Sequence, residues 1–275
     1  MKFGVREICD VVLKAKADNQ KVGNTTFSKG QPVIYFDTLK TSSMEGAATT
    51  VYAQGGRGNS RLVAWEGERT VTFTMEDALI SPLGFMILSG AGLIEASSGE
   101  NGNTITVHAT ENVVVKTAKS LVLNATPSSA TDAEIYVMKL NDNGEIEGEP
   151  KKVTASSGTI TVEDAEVGDV YMVDYYIDKT SKAQQIEITP DKFGGNYYLE
   201  ASTLFRNTDG VDMPAEFIIP NCKVQSNFTF TMASSGDPSS FTFTMDAFPD
   251  YTKFDKTKKV LAAIQIVEEA EKTEA

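Results

Sequence analysis

The sequence predicts an all-β protein with one short helix and a small β-sandwich inserted in its core. Three observations carry this. First, two distant stretches read almost alike, Thr-Val-Thr-Phe-Thr-Met-Glu-Asp-Ala at 70–78 and Ser-Phe-Thr-Phe-Thr-Met-Asp-Ala at 240–247. In them Val71, Phe73 and Met75, and likewise Phe241, Phe243 and Met245, alternate with Thr70, Thr72, Thr74, Thr242, Thr244 and Asp246. That is period two, the pattern of a strand with one buried and one wet face. Second, 14 Phe and 9 Tyr supply β-favouring core material, and 21 Gly with many Ser, Asn and Asp punctuate it. Third, residues 103–179 break into short Val- and Ile-rich runs between clear turns, the texture of a small sandwich.

From the N-terminus, residues 3–15 are rich in β-branched side chains and are expected to be extended. Residues 31–37 read as a short strand. The Gly-, Ser- and Thr-rich stretch 41–60 reads as a long exposed loop containing a strand at 49–53, with Gly55-Gly56-Arg57-Gly58 as a flexible segment. Residues 61–65 and 69–75 are expected to form a hairpin across Glu66-Gly67-Glu68. A helix follows: Ser81 is a good N-cap, Pro82 suits the first position, Leu83, Phe85, Met86, Ile87 and Leu88 fill two turns, and Gly90 or Gly92 ends it. So apolar a helix must be buried against a sheet.

In the middle, strands are expected at 105–109, 112–115, 121–124, 134–139, 152–154, 159–162 and 170–177, with turns at 141–144 and 156–158. Because 195–248 resumes the texture of 49–88, residues 109–179 read as an insertion into a discontinuous core of 1–108 and 180–265. Val224, Ser226, Phe228, Phe230 and Met232 alternate with Gln225, Asn227, Thr229 and Thr231, predicting a long hairpin with 241–247 across 233–240. Residues 260–267 are expected to form a strand or arm, and 266–275 an acidic, mobile tail.

At 275 residues and 41% hydrophobic content the chain buries a core without staples. A net charge of −13 disfavours non-specific nucleic-acid binding, which needs clustered Lys and Arg. Cys9 and Cys222 have neither metal-ligand spacing nor a Cys-x-x-Cys pattern, so a disulfide is not expected. Charged residues interrupt 1–20, and no window is long and apolar enough for a membrane span, so the protein is expected to be made in the cytoplasm without a membrane role. The sequons at Asn24, Asn124 and Asn227 read as chance in a Thr-rich chain.

Chemistry is sparse. His108 lies on the wet face of an alternating run and reads as surface decoration. Glu76 with Asp77, or Asp164 with Glu166, could be drawn as a carboxylate pair, but clustered acids at strand ends are usually solvated. Asn141, Asn143 and Glu145 mimic calcium-loop spacing, yet Lys152 stands where the closing acid belongs, so a hairpin turn explains them better. No catalytic, cofactor or metal site is expected.

The block Gly-Glu-Arg-Thr-Val-Thr-Phe-Thr-Met-Glu-Asp-Ala-Leu-Ile-Ser-Pro-Leu-Gly-Phe-Met-Ile-Leu-Ser-Gly-Ala at 67–91 is followed late in the chain by three more segments. These are Tyr-Tyr-Leu-Glu-Ala-Ser-Thr-Leu-Phe-Arg-Asn at 197–207, Phe-Ile-Ile-Pro-Asn-Cys-Lys-Val-Gln-Ser-Asn-Phe-Thr-Phe-Thr-Met at 217–232, and Ser-Gly-Asp-Pro-Ser-Ser-Phe-Thr-Phe. In content and order, over roughly half to two-thirds of the chain, they resemble tail tube proteins of tailed bacteriophages. The resemblance implies a β-sandwich or half-barrel subunit that forms hexameric rings whose strands join into one barrel, stacked into a tube for DNA passage, with tail sheath, tape-measure and baseplate or terminator proteins as partners. It also implies that Thr72, Thr74, Asn227, Thr229, Thr242 and Thr244 face the channel. An acidic chain suits that role, since a conduit should not hold phosphate. The alternative is a surface-displayed binding module, carbohydrate-binding or adhesin-like, or a capsid decoration protein. Trp65 alone, with tyrosine pairs at 175–176 and 197–198 inside expected strands, is a poor aromatic platform.

Overall fold

A computed structural model describes residues 2–99, 101–236 and 239–268. The chain divides into two compact units, residues 1–93 with 186–275, and residues 94–185. Among the described residues it is nearly all β, with one helix and several antiparallel sheets, none closed into a barrel.

The first unit begins with β1 (Phe3–Val5), β2 (Asp10–Ala15), β3 (Gln20–Val22), β4 (Thr25–Phe27), β5 (Pro32–Phe36), β6 (Leu39–Gly55) and β7 (Ser60–Asp77). Helix α1 (Pro82–Ser89) and β8 (Gly92–Glu95) lead out of it. The second unit holds β9 (Ile105–Val114), β10 (Ser120–Val122), β11 (Ile135–Leu140), β12 (Ile146–Val153), β13 (Ala155–Ser156), β14 (Thr159–Thr161) and β15 (Val170–Lys179). The chain returns through β16 (Gln184–Glu187), which pairs with β8, and completes the first unit with β17 (Asn196–Asn207), β18 (Asp212–Val224), β19 (Phe241–Ala247) and β20 (Ala263–Ile266).

The main sheet runs β5-β2-β17-β18-β19-β7-β6, with β1 added to β17 and β20 to β18. Period two does what it promised at its centre. Phe73, Met75, Phe243 and Met245 are essentially fully buried, together with Leu13, Leu199, Ile219 and Val224 from neighbouring strands. Helix α1 contributes Met86, Ile87 and Leu88 to the same core. Its ends are as expected: Ser81 Oγ accepts from the Gly84 N–H at 3.0 Å, and Gly90, at φ 71°, donates to the Met86 carbonyl at 2.8 Å. Gly90 is required twice over, because a Cβ there would lie 2.4 Å from the Phe193 backbone.

The second unit is a sandwich of a three-stranded sheet, β10-β14-β13, and a four-stranded one, β12-β11-β15-β9. Leu121 and Ile160 from the first pack with Val137, Tyr171 and Val173 from the second in one core. The turn at 141–145 is a hairpin, as expected, closed by hydrogen bonds from Asn141 N to Glu145 O and from Gly144 N to Asn141 O.

Three expectations are corrected. Residues 41–60 are not a long loop: β6 spans 17 residues, and only 56–59 form a turn. Glu66-Gly67-Glu68 is not a hairpin turn, because β7 runs unbroken through it. The register instead slips between Ala48 and Thr50 on β6. Thr49 Oγ1 accepts from the Glu68 N–H at 2.9 Å, and a Cβ on Gly67 would lie 2.5 Å from that oxygen, so the glycine serves a bulge. Finally, β18 pairs with β19 only through 222–224, and 225–236 form no strand. Phe228 and Phe230 turn onto Phe85 of the helix at centroid distances of 5.0 and 5.1 Å, and Phe230 also meets Phe241 at 4.8 Å. Neither the pairing nor the full alternation survives: Phe228 is half-buried against the helix, but Phe230 and Met232 are exposed. Asp237 and Pro238 of the expected turn, and 269–275 of the expected tail, lie outside the described residues.

Candidate assembly surface

Two features of the first unit are not explained by its own stability: a polar sheet face and a projecting arm. The face follows from register. Thr72, Thr74 and Glu76 on β7 stand opposite Asp246, Thr244 and Thr242 on β19, and opposite Glu45, Ser43 and Thr41 on β6. Directly opposed residues share a face, so hydroxyls and carboxylates form a continuous patch three strands wide. Lys223, opposite Asp246, extends it onto β18. Asp246 is held by Gln225 Nε2 at 2.9 and 3.1 Å, and Glu76 accepts from Ser240 Oγ.

Four of the six residues expected on one polar face, Thr72, Thr74, Thr242 and Thr244, are therefore neighbours. Thr242 is exposed and the other three are half-buried. Asn227 and Thr229 are exposed but leave the sheet with the 225–236 segment, where they line a depression with Thr242 and Thr244.

The arm is the distal half of the β6–β7 hairpin. Every residue from 56 to 70 is exposed, and so is almost all of 45–55. It extends roughly 30 Å, at about 3.4 Å per residue. Its two faces differ in kind. Val51 stands opposite Trp65 and Ala53 opposite Val63, giving one apolar face, on which Trp65 is 55% and Val51 61% exposed. Tyr52 lies on the other, with the Arg61 guanidinium 4.0 Å above its ring. A two-stranded ribbon with no sheet behind it is marginal in water, and an exposed apolar face of this kind marks contact with another surface. The sequence signalled only short strands here, at 49–53 and 61–65, because a ribbon wet on both sides has little alternation to show that they continue.

Catalytic alternatives find no geometry. Glu76 and Asp77 point to opposite faces: Glu76 joins the polar patch, and Asp77 is buried, accepting from Thr38 Oγ1 at 2.5 Å and from the Leu79 N–H at 3.3 Å. Asp164 pairs with Lys151 at 2.5 Å on the surface, which holds its carboxyl below the usual range. His108 is exposed, with Nε2 2.8 Å from Asp174 Oδ2 and its ring 5.5 Å from Tyr176. Cys9 and Cys222 are free and buried, and burial pushes the Cys222 thiol up to about 12. Such a thiol is inert. Among the described residues no group of His, Cys, Asp and Glu converges as a metal site, and no helix is long and apolar enough to cross a membrane.

An open antiparallel sheet with a hydroxyl-rich face and an apolar arm defines a subunit of an assembly. The chain belongs to the YomU/Tube protein family, whose model matches residues 5–262. It is accordingly a structural protein of the phage tail tube and a virion component, assembling with itself and other tail proteins. No curated protein matches the chain.

Proposed function

We propose that the chain forms hexameric rings that stack head to tail, with the polar face of β19, β7 and β6 lining a central channel for DNA. The observation that carries this reading is the patch in which Thr72, Thr74, Thr242 and Thr244 lie among Glu45, Glu76 and Asp246. Hydroxyls keep such a wall wetted, and carboxylates keep phosphate from adhering, as each neutralised phosphate would add affinity. Asn227 and Thr229 flank the same wall. The sheet path ends in β5 and β6, and β1 and β20 are paired on one side only; an open edge is a template for a neighbouring chain. Joining edge to edge around a ring would extend the sheet into one barrel.

The arm is the contact to the next ring, its Val51 and Trp65 face covered by a neighbouring subunit. Residues 1–108 and 180–265 supply the tube wall, and the inserted 109–179 faces outward, available to a sheath. Tape-measure protein inside the tube and baseplate or terminator proteins at its ends complete the partner set. DNA passes without specific binding. The protein is made in the host cytoplasm and works in the virion without enzymatic activity.

Electron microscopy of the concentrated protein tests the reading. Rings or tubes with a central hole are expected, and Thr72→Lys with Thr242→Lys should leave ring formation intact while rings begin to retain DNA. Strictly monomeric protein at high concentration, or lysines exposed on the outer wall, would refute it.

A further inference from the structure

In a chain with net charge −13, lysines converge at one place on the first unit. A cleft of about 430 Å³ is lined by Lys14 of β2, Lys16 just after it, Lys29, and Asp250, Lys253 and Lys256 of the 250–260 loop, with Tyr198 at its wall. That loop is clipped shut at its base, where Asp250 and Val260 exchange backbone hydrogen bonds of 3.1 and 2.8 Å. Three of the amines have partners, Lys256 donating to the Thr252 carbonyl at 2.6 Å. Lys14 pairs with Glu200, and Lys16 pairs with Asp250 and donates to the Pro220 carbonyl at 2.7 Å. Lys29, Lys253 and Lys256 are exposed and have no ion-pair partner among the described residues. The cleft therefore keeps an uncompensated positive charge beside aromatic surface.

The complementary charge lies in the same chain. Residues 268–275, Glu-Glu-Ala-Glu-Lys-Thr-Glu-Ala, hold Glu268, Glu269, Glu271 and Glu274 against the single Lys272. Where this segment leaves the fold is fixed by β20. That strand pairs Ala263 with Ile218 and Ile266 with Ala215, and Val267 N–H donates to the Pro214 carbonyl. The cleft adjoins Pro220 at the other end of the same stretch of β18. Six residues of strand separate the two, roughly 20 Å at about 3.3 Å per residue, and the chain at Val267 is heading away from the cleft.

We propose that the acidic 268–275 segment of one copy seats in the lysine cleft of the next copy along the tube. This rests on the stacked-ring reading above and adds to it a donor and an acceptor. Complementary elements at two separate places on one subunit make a head-to-tail contact, the type that can propagate instead of closing on itself. Each pairing is weak and salt-sensitive, with a screening length of about 8 Å at physiological ionic strength. Repetition around a ring makes the sum strong.

The test uses the full chain, a chain ending after Val267, and the triple variant Lys29→Glu, Lys253→Glu, Lys256→Glu, with circular dichroism melts confirming that all three fold. In sedimentation and electron microscopy the full chain should give tubes, and each altered chain alone should give unstacked rings. Mixed, the altered chains should give paired rings and no longer stacks, since the triple variant still donates a segment and the shortened chain still accepts one. Either altered chain stacking like the parent, or a mixture that stays as single rings, overturns the inference. If the full chain forms no rings at all, the assembly reading is what has failed. Docking is then decided by a labelled peptide of residues 267–275 titrated into the full chain. Saturation that weakens at least about tenfold in the triple variant, and with added salt, supports the cleft as its seat. No saturation, or equal binding to the variant, refutes it.

Discussion

Strand β7 is two different structures in one unbroken run. Over 71–77 its residues alternate between core and surface, with Phe73 and Met75 essentially inaccessible, while over 60–70 every side chain is exposed. Backbone pairing with β6 runs through both halves, with a register shift in each, at Leu39/Thr41 and Ala53/Gln54, and the bulge opposite Gly67 between them. Hydrogen bonds to the partner strand therefore do not distinguish them; what stands behind the ribbon does. The inner half is held by β19, α1 and the core, and its cost of ordering is met by burial. The outer half has only its partner strand, and its side chains meet solvent on both faces.

The largest effects on monomer stability belong to the inner half and the strands packed on it. Phe243 is 1% exposed, touches Phe36 at a centroid distance of 5.0 Å and lies in register with Met75. Phe243→Ala should cost about 3–5 kcal/mol in denaturant unfolding, the range for a buried aromatic truncated in a closed core. A loss under 1 kcal/mol would mean that the core does not rest on this face.

How much of this was legible follows from the same contrast. Where one side of a strand is dry, at 71–77 and 241–247, alternation announced it, and the helix was readable from Ser81, Pro82 and Gly90 because caps are local chemistry. Residues 41–60 and 66–68 were misread because small and charged residues in a ribbon wet on both sides look like a loop. Residues 225–232 were misread for the opposite reason: Phe228 and Phe230 alternate correctly but are recruited by Phe85, some 140 positions away in sequence, a contact no local pattern encodes. Nor does any motif unite Lys14, Lys29 and Lys253, which β2, the turn between β4 and β5 and the 250–260 loop bring to one cleft.

The bulge separating the halves of the hairpin offers a smaller effect. Gly67→Ala places a methyl group 2.5 Å from Thr49 Oγ1, and a forced shift of this kind costs about 1–3 kcal/mol. Adding Thr49→Ala removes the obstructing oxygen and should recover most of the loss; non-additivity in the double-mutant cycle is the signature of direct contact. Strict additivity would place the strain elsewhere. Smaller again is the Lys16–Asp250 pair, both side chains partly accessible. The Lys16 ammonium holds the Asp250 carboxyl below its ordinary value. A depressed carboxylate adds stability above its unfolded pKa and loses it as pH falls through the lower folded one. Asp250→Asn should therefore cost about 1 kcal/mol at neutral pH, and the difference from the parent should shrink as pH drops below about 3.9.

The smallest effect on the monomer is the most informative about the arm. Trp65 is the only tryptophan, 55% exposed opposite Val51. With no core behind it, Trp65→Ala should change unfolding free energy by no more than about 0.5 kcal/mol, as for surface substitutions generally. The same change removes the largest apolar side chain from the face that a neighbour is to cover, and large aromatics at the centre of an interface carry a disproportionate share of its energy. A stable monomer that no longer forms tubes is the expected outcome, read by unfolding and electron microscopy on the same sample. If the substitution instead destabilises the monomer as Phe243→Ala does, the arm folds back onto its own unit in solution, and the distinction between the two halves of β7 disappears.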